Sequence, residues 1–136
     1  MSVTVASARP FILLVEDDDE LRDIVGEILE AEGYEVIPAR HGQQVLDYLH
    51  DADSLPALVL LDLMMPIVNG WECLRAIKAE ERLRSIPVVL MTALAGDRPG
   101  NADAVLRKPL RIDELLDVVT LLVETRPPES THPPSR

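Results

Sequence analysis

Cysteine and aromatic residues are scarce in this chain. A single cysteine, Cys73, among 136 residues excludes an internal disulfide framework and a zinc site built from cysteines. Its neighbours Leu74 and Ile77 favour a small, half-buried thiol over a reactive one. Aromatic residues make up 3% of the sequence and hydrophobic residues 47%. The core of this one-domain chain must therefore consist of aliphatic side chains.

Long hydrophobic runs and basic clusters are also absent from the sequence. No apolar stretch reaches the roughly 20 residues that a membrane-spanning helix needs, and the N-terminal segment does not resemble a secretory signal. Acidic residues outnumber basic ones by 24 to 13, which gives a net charge of −11. Such a chain repels nucleic acid and anionic lipid. We therefore expect a cytoplasmic protein that binds neither nucleic acid nor membrane directly.

Short apolar runs alternate with amphipathic segments along the chain. Continuous apolar runs are typical of buried parallel strands, and helical spacing of apolar residues indicates helices. The predicted strands cover residues 11–15, 34–38, 57–61, 86–91 and 104–107. The predicted helices cover residues 18–32, 42–50, 71–84 and 112–123. The inward face of the first helix is predicted to consist of Leu21, Ile24, Val25, Ile28 and Leu29. This alternation predicts βαβ units around a parallel sheet.

The two termini and one connection depart from this alternation. Residues 1–9 are predicted to form a flexible leader before a domain of residues 10–125. Residues 126–136 carry four prolines and no large apolar residue, which predicts a disordered tail or linker. Between the fourth and fifth predicted strands, Pro99 and Gly100 interrupt the segment where a helix should lie. That helix is therefore expected to be shortened or absent.

Polar residues of different chemical kinds follow four of the predicted strands. Glu16 and Asp17 follow the first strand, Asp62 the third, Thr92 the fourth and Lys108 the fifth. The carboxyl ends of parallel strands meet at the edge where open α/β sheets bind ligands, so we expect these side chains to lie together. An aspartate there can be a mere helix cap, but the joint pattern argues against a structural origin. Because an aspartate can hold a phosphoryl group as an acyl phosphate, we interpret Asp62 as the acceptor.

The concentration of negative charge at this edge predicts a bound cation. Two like charges about 4 Å apart repel by about 4 kcal/mol at an effective dielectric constant near 20, and Mg²⁺ prefers oxygen ligands. The predicted ligands are Glu16, Asp17, Asp62 and the backbone carbonyl of Met64. Lys108 would neutralise the phosphoryl oxygens, and Thr92 would donate a hydrogen bond to one of them. Such positioning and electrostatics dominate the catalysis of phosphoryl transfer.

Four segments carry a family likeness. They are residues 13–18 (LLVEDD), residues 62–66 (DLMMP) with Gly70, residues 87–93 from Pro87 to Thr92-Ala93, and the pair Lys108-Pro109. With these motifs, over residues 10–125, the chain resembles a response-regulator receiver domain of two-component signalling, or phosphorelay.

The resemblance implies a flavodoxin-like α/β fold whose five parallel strands lie in the order 2-1-3-4-5, with helices on both faces of the sheet. It implies a Mg²⁺-dependent phosphoprotein whose Asp62 accepts a phosphoryl group from a sensor histidine kinase or phosphotransfer protein. It also implies a downstream protein target and a cis peptide bond between Lys108 and Pro109.

Two departures from the family pattern bear on signal output. Val105 stands where receivers usually carry Tyr or Phe, and the spacing from Thr92 to Lys108 is short by roughly six residues, nearly two helical turns. The usual dimer surface is therefore in doubt, and a monomer or non-standard dimer is expected. In similar domains, positions Met64 and Leu94 tune phosphoryl lifetime. Neither side chain can orient water, so we expect slow autodephosphorylation and no external enzymatic activity.

Other functions remain open as alternatives. A degenerate receiver would act as a non-switching protein-interaction module. The intact site argues against it, whereas Val105 and the missing helix argue for it. A phosphohydrolase with an aspartyl-phosphate intermediate would need a second aspartate where Met64 stands. A calcium loop at residues 16–20 lacks the glycine and the spaced ligands of an EF-hand.

Overall fold

Five strands and four helices alternate in the part of the chain that the computed structural model describes, which comprises residues 10–65, 68–93 and 102–124. The strands are β1 (Phe11–Val15), β2 (Glu35–Ala39), β3 (Leu58–Asp62), β4 (Val88–Thr92) and β5 (Ala104–Arg107). The helices are α1 (Asp19–Ala31), α2 (Gly42–Asp51), α3 (Gly70–Ala79) and α4 (Ile112–Glu124).

The strands form one parallel sheet in the order β2-β1-β3-β4-β5. Val15 at the end of β1 is aligned with Leu61, and Asp62 at the end of β3 is aligned with Met91. The strands therefore end nearly level with one another, and the residues that follow them emerge at a single edge of the sheet. This confirms the predicted flavodoxin-like α/β fold and its strand order.

Helices cover both faces of the sheet, which explains why β3 and β4 are buried along their whole length. Leu13 and Val59 point toward the face covered by α2 and α3, whereas Leu14 and Leu60 point toward α1 and α4. This alternation follows from the two-residue period of a strand. Full burial of such an aliphatic side chain stabilises the fold by about 1.5–3 kcal/mol.

Most predicted boundaries differ from the structure by one or two residues. β2, β3 and β4 each end one residue later than predicted, so Asp62 and Thr92 are the last residues of their strands. The third helix was predicted to reach residue 84 but ends at Ala79. Its continuation is replaced by turns, which Lys78 stabilises by donating hydrogen bonds to the carbonyl oxygens of Arg84 (3.0 Å) and Ile86 (2.9 Å).

Local signals define the ends of α1. The carboxylate of Asp18 accepts hydrogen bonds from the backbone N–H groups of Glu20 (3.1 Å) and Leu21 (3.2 Å), as an N-cap residue does. Glu32 is the C-cap residue, and Gly33 follows with a φ of 100°. Few residues other than glycine adopt this left-handed conformation, so the chain turns toward β2 at this point.

The predicted inward face of α1 is wrong at one position. Val25 and Leu29 are buried, as expected, but Ile24 is 49% exposed. Ile24 lies at the margin of a groove of about 450 Å³ between α1 and the start of α4, where Pro109 and Leu110 also contribute to the lining. The sheet covers a narrower stripe of the helix than the apolar pattern suggests.

The prediction of a half-buried Cys73 is also wrong, because its side chain is fully buried. Cys73 lies on α3 beneath the start of α2, with its Sγ 4.0 Å from the carbonyl oxygen of Gly42. Burial raises the pKa of this thiol to about 12, which keeps it protonated and unreactive at neutral pH.

Three predictions fall wholly or largely outside the described residues: the leader at residues 1–9, the tail at 126–136, and the shortened or absent helix between β4 and β5. The described residues beside that last segment, Ala93, Ala102 and Asp103, are not helical. None of the described helices combines the length and the apolar character needed to cross a membrane.

Two glycines give a matched test of packing. A Cβ atom at Gly70 would lie 2.6 Å from the Cα atom of Leu63 and 2.7 Å from the carbonyl oxygen of Asp62, and neither backbone atom can move easily. At Gly26, in the middle of α1, a Cβ atom would meet only side-chain atoms at 3.9 Å.

We expect Gly70→Ala to lower the free energy of unfolding by about 1–3 kcal/mol through overpacking. Gly26→Ala should raise it by about 0.5–1 kcal/mol, because alanine favours a helix interior. Urea denaturation followed by far-UV circular dichroism measures both changes. Shifts of the same sign in the two variants would contradict the packing described here.

Candidate functional site

Glu16, the first residue after β1, is 1% exposed, and its backbone and side-chain polar groups are all engaged. Its backbone N–H donates to the carbonyl oxygen of Ala39 (3.0 Å), and its own carbonyl oxygen accepts from Nη1 of Arg22 (2.7 Å). Its Oε2 accepts from the backbone N–H of Asp18 (3.2 Å), and its Oε1 accepts from Nζ of Lys108 (3.0 Å). Glu16 therefore connects the ends of three strands.

Asp62 ends β3 with 3% of its surface exposed. Its Oδ1 accepts hydrogen bonds from the backbone N–H of Met64 (3.2 Å) and from Nζ of Lys108 (3.3 Å). Burial and the nearby charge of Glu16 raise the pKa of Asp62 to about 7, against the opposing effect of Lys108. The surroundings of Asp62 therefore compensate the charge of its ionised form only in part, and the group takes up a proton more readily than an ordinary aspartate.

Lys108 forms ion pairs with both buried carboxylates, at 3.0 Å to Glu16 and 3.3 Å to Asp62. Burial by itself lowers the pKa of Lys108. The hydrogen bond to Glu16 and the charges of Asp62 and Glu16 outweigh that effect, so that the pKa lies above its usual value. The ammonium group stays charged at neutral pH. One positive charge faces two negative charges here.

Asp17 adds a third carboxylate to this edge. One oxygen each from Glu16, Asp17 and Asp62 lie within 4.8 Å of one another. Asp17 is exposed, and its carboxylate makes no hydrogen bond to other described residues. Three hard oxygen atoms with incomplete charge compensation fit a divalent cation such as Mg²⁺. The Met64 carbonyl as a further ligand stays a prediction.

Thr92 and Lys108 are linked through the backbone. Thr92, the last residue of β4, is buried and aligned with Arg107. The backbone N–H of Lys108 donates to the carbonyl oxygen of Thr92 (2.8 Å), which extends the β4–β5 ladder past the end of β5. The predicted cis peptide bond between Lys108 and Pro109 is confirmed. The structure thus brings Thr92 to the same edge as the carboxylates.

Two further positions bear on the predictions made from the family pattern. Val105, which replaces the usual aromatic residue, is half-buried on β5 and aligned with Leu90. The side chain of Met64 is 60% exposed next to Asp62, whereas Leu94 lies outside the described residues.

Sequence reasoning missed Arg22. Its guanidinium holds the Glu16 carbonyl oxygen and also donates from Nη2 to Oδ1 of Asp19 (2.6 Å), which accepts from Arg40 as well (3.0 Å). The hydrogen bond from Arg22 and the charge of Arg40 lower the pKa of Asp19. Arg22 is the one basic residue among residues 16–32. A single arginine in so acidic a segment could have indicated a specific ion pair or hydrogen bond.

Comparisons with known proteins agree with this geometry. The family model of the response regulator receiver domain matches residues 12–120. The chain is 33% identical over 114 residues to the polar-differentiation response regulator DivK of Brucella ovis, covering 79% of this chain and 91% of that protein.

Solved structures of receiver domains are also similar. The signal receiver domain of a histidine kinase from Syntrophus aciditrophicus matches with a TM-score of 0.79 and 30% identity, over 85% of this chain and 91% of that one. The receiver domain of a sensor histidine kinase from Pseudomonas aeruginosa has a magnesium ion coordinated in its active-site cleft. It matches with a TM-score of 0.77 and 28% identity, over 86% of this chain and 99% of that one.

The raised pKa of Asp62 predicts how stability depends on pH in the absence of metal. In the unfolded chain this group ionises near 3.8 and in the folded chain near 7. Between those values the folded state binds more protons than the unfolded state. The contribution of Asp62 to the free energy of unfolding therefore falls as the pH rises from about 4 to about 7, and it stays constant above that range.

We expect Asp62→Asn to be more stable than the parent above about pH 7 by up to about 4 kcal/mol, and this gain should shrink toward about pH 4. Urea denaturation in EDTA across this range measures the difference. A gain that stays constant with pH would show that ionisation of Asp62 is not its source.

Proposed function

The chain belongs to the response regulator receiver domain family and is a phosphorylation-dependent module of two-component signalling; from that premise we propose that Asp62 is its phosphoryl acceptor. The observation that carries the proposal is the position of Lys108, whose ammonium lies 3.3 Å from Oδ1 of the buried Asp62 at the carboxyl edge of the sheet. An ammonium held there can neutralise the oxygens of an incoming phosphoryl group.

The proposed donor is a phosphohistidine of a sensor histidine kinase or a phosphotransfer protein. An oxygen of the Asp62 carboxylate forms a bond to phosphorus while the bond from phosphorus to the donor imidazole nitrogen breaks. The electron pair of the broken bond stays on the imidazole, and Asp62 becomes an acyl phosphate. Thr92, buried at the end of the neighbouring β4, is proposed to donate its hydroxyl hydrogen to a phosphoryl oxygen.

Glu16, Asp17 and Asp62, with the Met64 carbonyl, are the proposed Mg²⁺ ligands. When bound, Mg²⁺ supplies positive charge that offsets the carboxylates and the phosphoryl oxygens. The acidic cluster supports this proposal, as does the magnesium ion in the similar receiver from Pseudomonas aeruginosa. Burial of Glu16 and its bond to Lys108 fix its carboxylate, whereas Asp17 faces solvent from which the cation enters.

The domain is proposed to catalyse only reactions of its own Asp62 and to signal its phosphorylation state to a downstream protein. It catalyses its own phosphotransfer and slow autodephosphorylation, without an external product. The exposed thioether of Met64 beside Asp62 cannot orient an attacking water molecule by hydrogen bonding, which supports slow hydrolysis. The alternative of a degenerate, non-switching receiver rests on Val105, which has no aromatic ring to change position.

The test of the acceptor is labelling with acetyl phosphate and Mg²⁺, followed by intact-mass spectrometry. The parent should gain one phosphoryl group, and Asp62→Asn should gain none, because an amide oxygen is a poor nucleophile. Asp53→Asn, an exposed aspartate at the opposite edge of the sheet, serves as the matched control and should be labelled like the parent. Equal labelling of Asp62→Asn would overturn the assignment.

The same samples separate a switching from a degenerate receiver. Hydrogen exchange of the parent with and without acetyl phosphate should differ in β4 and β5, where Thr92 and Lys108 contact the modified site. Labelling of Asp62 without any change in exchange would favour the non-switching alternative.

The lifetime of the phosphoryl group should depend on residue 64. We expect Met64→Gln to hydrolyse severalfold faster than the parent, since an amide beside Asp62 can position a water molecule. The decay of labelled protein after removal of acetyl phosphate gives the rate, and Met64→Leu is the matched control. A parent that loses its label within seconds would contradict slow autodephosphorylation.

A further inference from the structure

The geometry points to Arg22 as a positioning residue for the cation site, acting through the backbone of Glu16 on the carboxylate of Asp17. This inference rests on the proposed function, because it concerns the Mg²⁺ site formed by Glu16, Asp17 and Asp62. Arg22 bonds to the backbone carbonyl of Glu16 and makes no hydrogen bond to the three carboxylates of the cluster, and it is therefore not a catalytic residue.

The first step is the contact that Arg22 makes across the β1–α1 connection. Its Nη1 donates to the carbonyl oxygen of Glu16 at 2.7 Å, and its Nη2 donates to Oδ1 of Asp19 at 2.6 Å. The side chain is only 12% exposed. A planar guanidinium with two engaged nitrogen atoms has a fixed orientation. Arg22 thus ties the first turn of α1 to the end of β1.

The second step connects the Glu16 carbonyl to Asp17. That oxygen belongs to the peptide group whose N–H is the N–H of Asp17, and the peptide group is planar. A hydrogen bond that holds the Glu16 carbonyl oxygen therefore also fixes the orientation of the N–Cα bond of Asp17. Since the Asp17 carboxylate has no hydrogen bond to other described residues, the backbone is what places it in the cluster of Glu16, Asp17 and Asp62.

The third step separates positioning from charge. Arg22 is a cation near a cation site, so Coulomb repulsion alone predicts that its removal strengthens Mg²⁺ binding. Positioning predicts the opposite, a weaker site. Arg40 offers the matched control, since it pairs with the same Asp19 at 3.0 Å but is 60% exposed and makes no described contact with Glu16. Its removal changes the charge and leaves the Glu16 carbonyl in place.

The experiment measures the Mg²⁺ dissociation constant of the full chain by titration calorimetry, for the parent, Arg22→Gln, Arg22→Lys and Arg40→Gln. We expect both Arg22 variants to bind Mg²⁺ about 10-fold more weakly, as is typical when a residue that supports a metal ligand is lost. Lysine keeps the charge but lacks the fork that reaches Glu16 and Asp19 together. Arg40→Gln should bind like the parent or slightly more tightly.

A second measurement follows the rate of labelling by acetyl phosphate as a function of Mg²⁺ concentration. For the Arg22 variants, the Mg²⁺ concentration at half-maximal rate should rise by the same factor as the dissociation constant, with the maximal rate unchanged. A general structural defect would lower the maximal rate instead. If Arg22→Gln fails to fold by far-UV circular dichroism, Arg22→Lys decides the result.

The inference is overturned if the Arg22 variants bind Mg²⁺ as tightly as the parent, bind it more tightly, or lose maximal rate without a shift in the Mg²⁺ dependence. Weaker binding by Arg40→Gln to the same extent would also overturn it, because loss of charge would then suffice. Failure of the proposed function has a different signature, since the parent itself would then bind no Mg²⁺ or take up no label.

Discussion

The ion pairs of Lys108 with Glu16 and Asp62 hold the functional edge of this domain together. Lys108 follows β5, whereas Asp62 ends β3, and β4 lies between those strands. With strands spaced by about 4.8 Å, the ammonium must cover a span of about 10 Å between strand axes, which only a long side chain can do. Thr92, at the end of the intervening strand, is small enough to leave that path open. The strand order therefore requires a long side chain after β5 and a small one at the end of β4.

This arrangement leaves the metal-free domain with unbalanced charge. Two buried carboxylates share one ammonium, and a third carboxylate lies within 4.8 Å. The raised pKa of Asp62 has the same cause. With too little positive charge nearby, the protonated form of Asp62 is favoured over the ionised form. Functional sites commonly retain such perturbed groups at the expense of stability. The proposed cation site and the raised pKa of Asp62 therefore follow from one and the same charge balance.

The parts of this structure that follow local periodicity could be predicted from the sequence, and the parts that depend on a second element could not. Apolar runs defined the strands, and the polar residues after them defined the edge. The exposure of Ile24 depends on the groove that remains between α1 and the start of α4. The burial of Cys73 depends on how closely α2 approaches α3 at Gly42. The bond from Arg22 to Glu16 joins a helix to the preceding strand end. No periodic pattern within α1 encodes that contact.

The three sides of the site are held with different firmness. On the α3 side, a Cβ atom at Gly70 would lie 2.7 Å from the Asp62 carbonyl oxygen, so helix and strand are in direct backbone contact. On the α1 side, Arg22 and the Asp18 cap fix the connection to β1. On the remaining side, one backbone hydrogen bond of 2.8 Å joins Lys108 to Thr92 past the end of β5. If Asp62 is the acceptor, as proposed, the added charge would act first on the ammonium that pairs with it. Because the other two sides resist displacement, we expect the response to travel through β4 and β5.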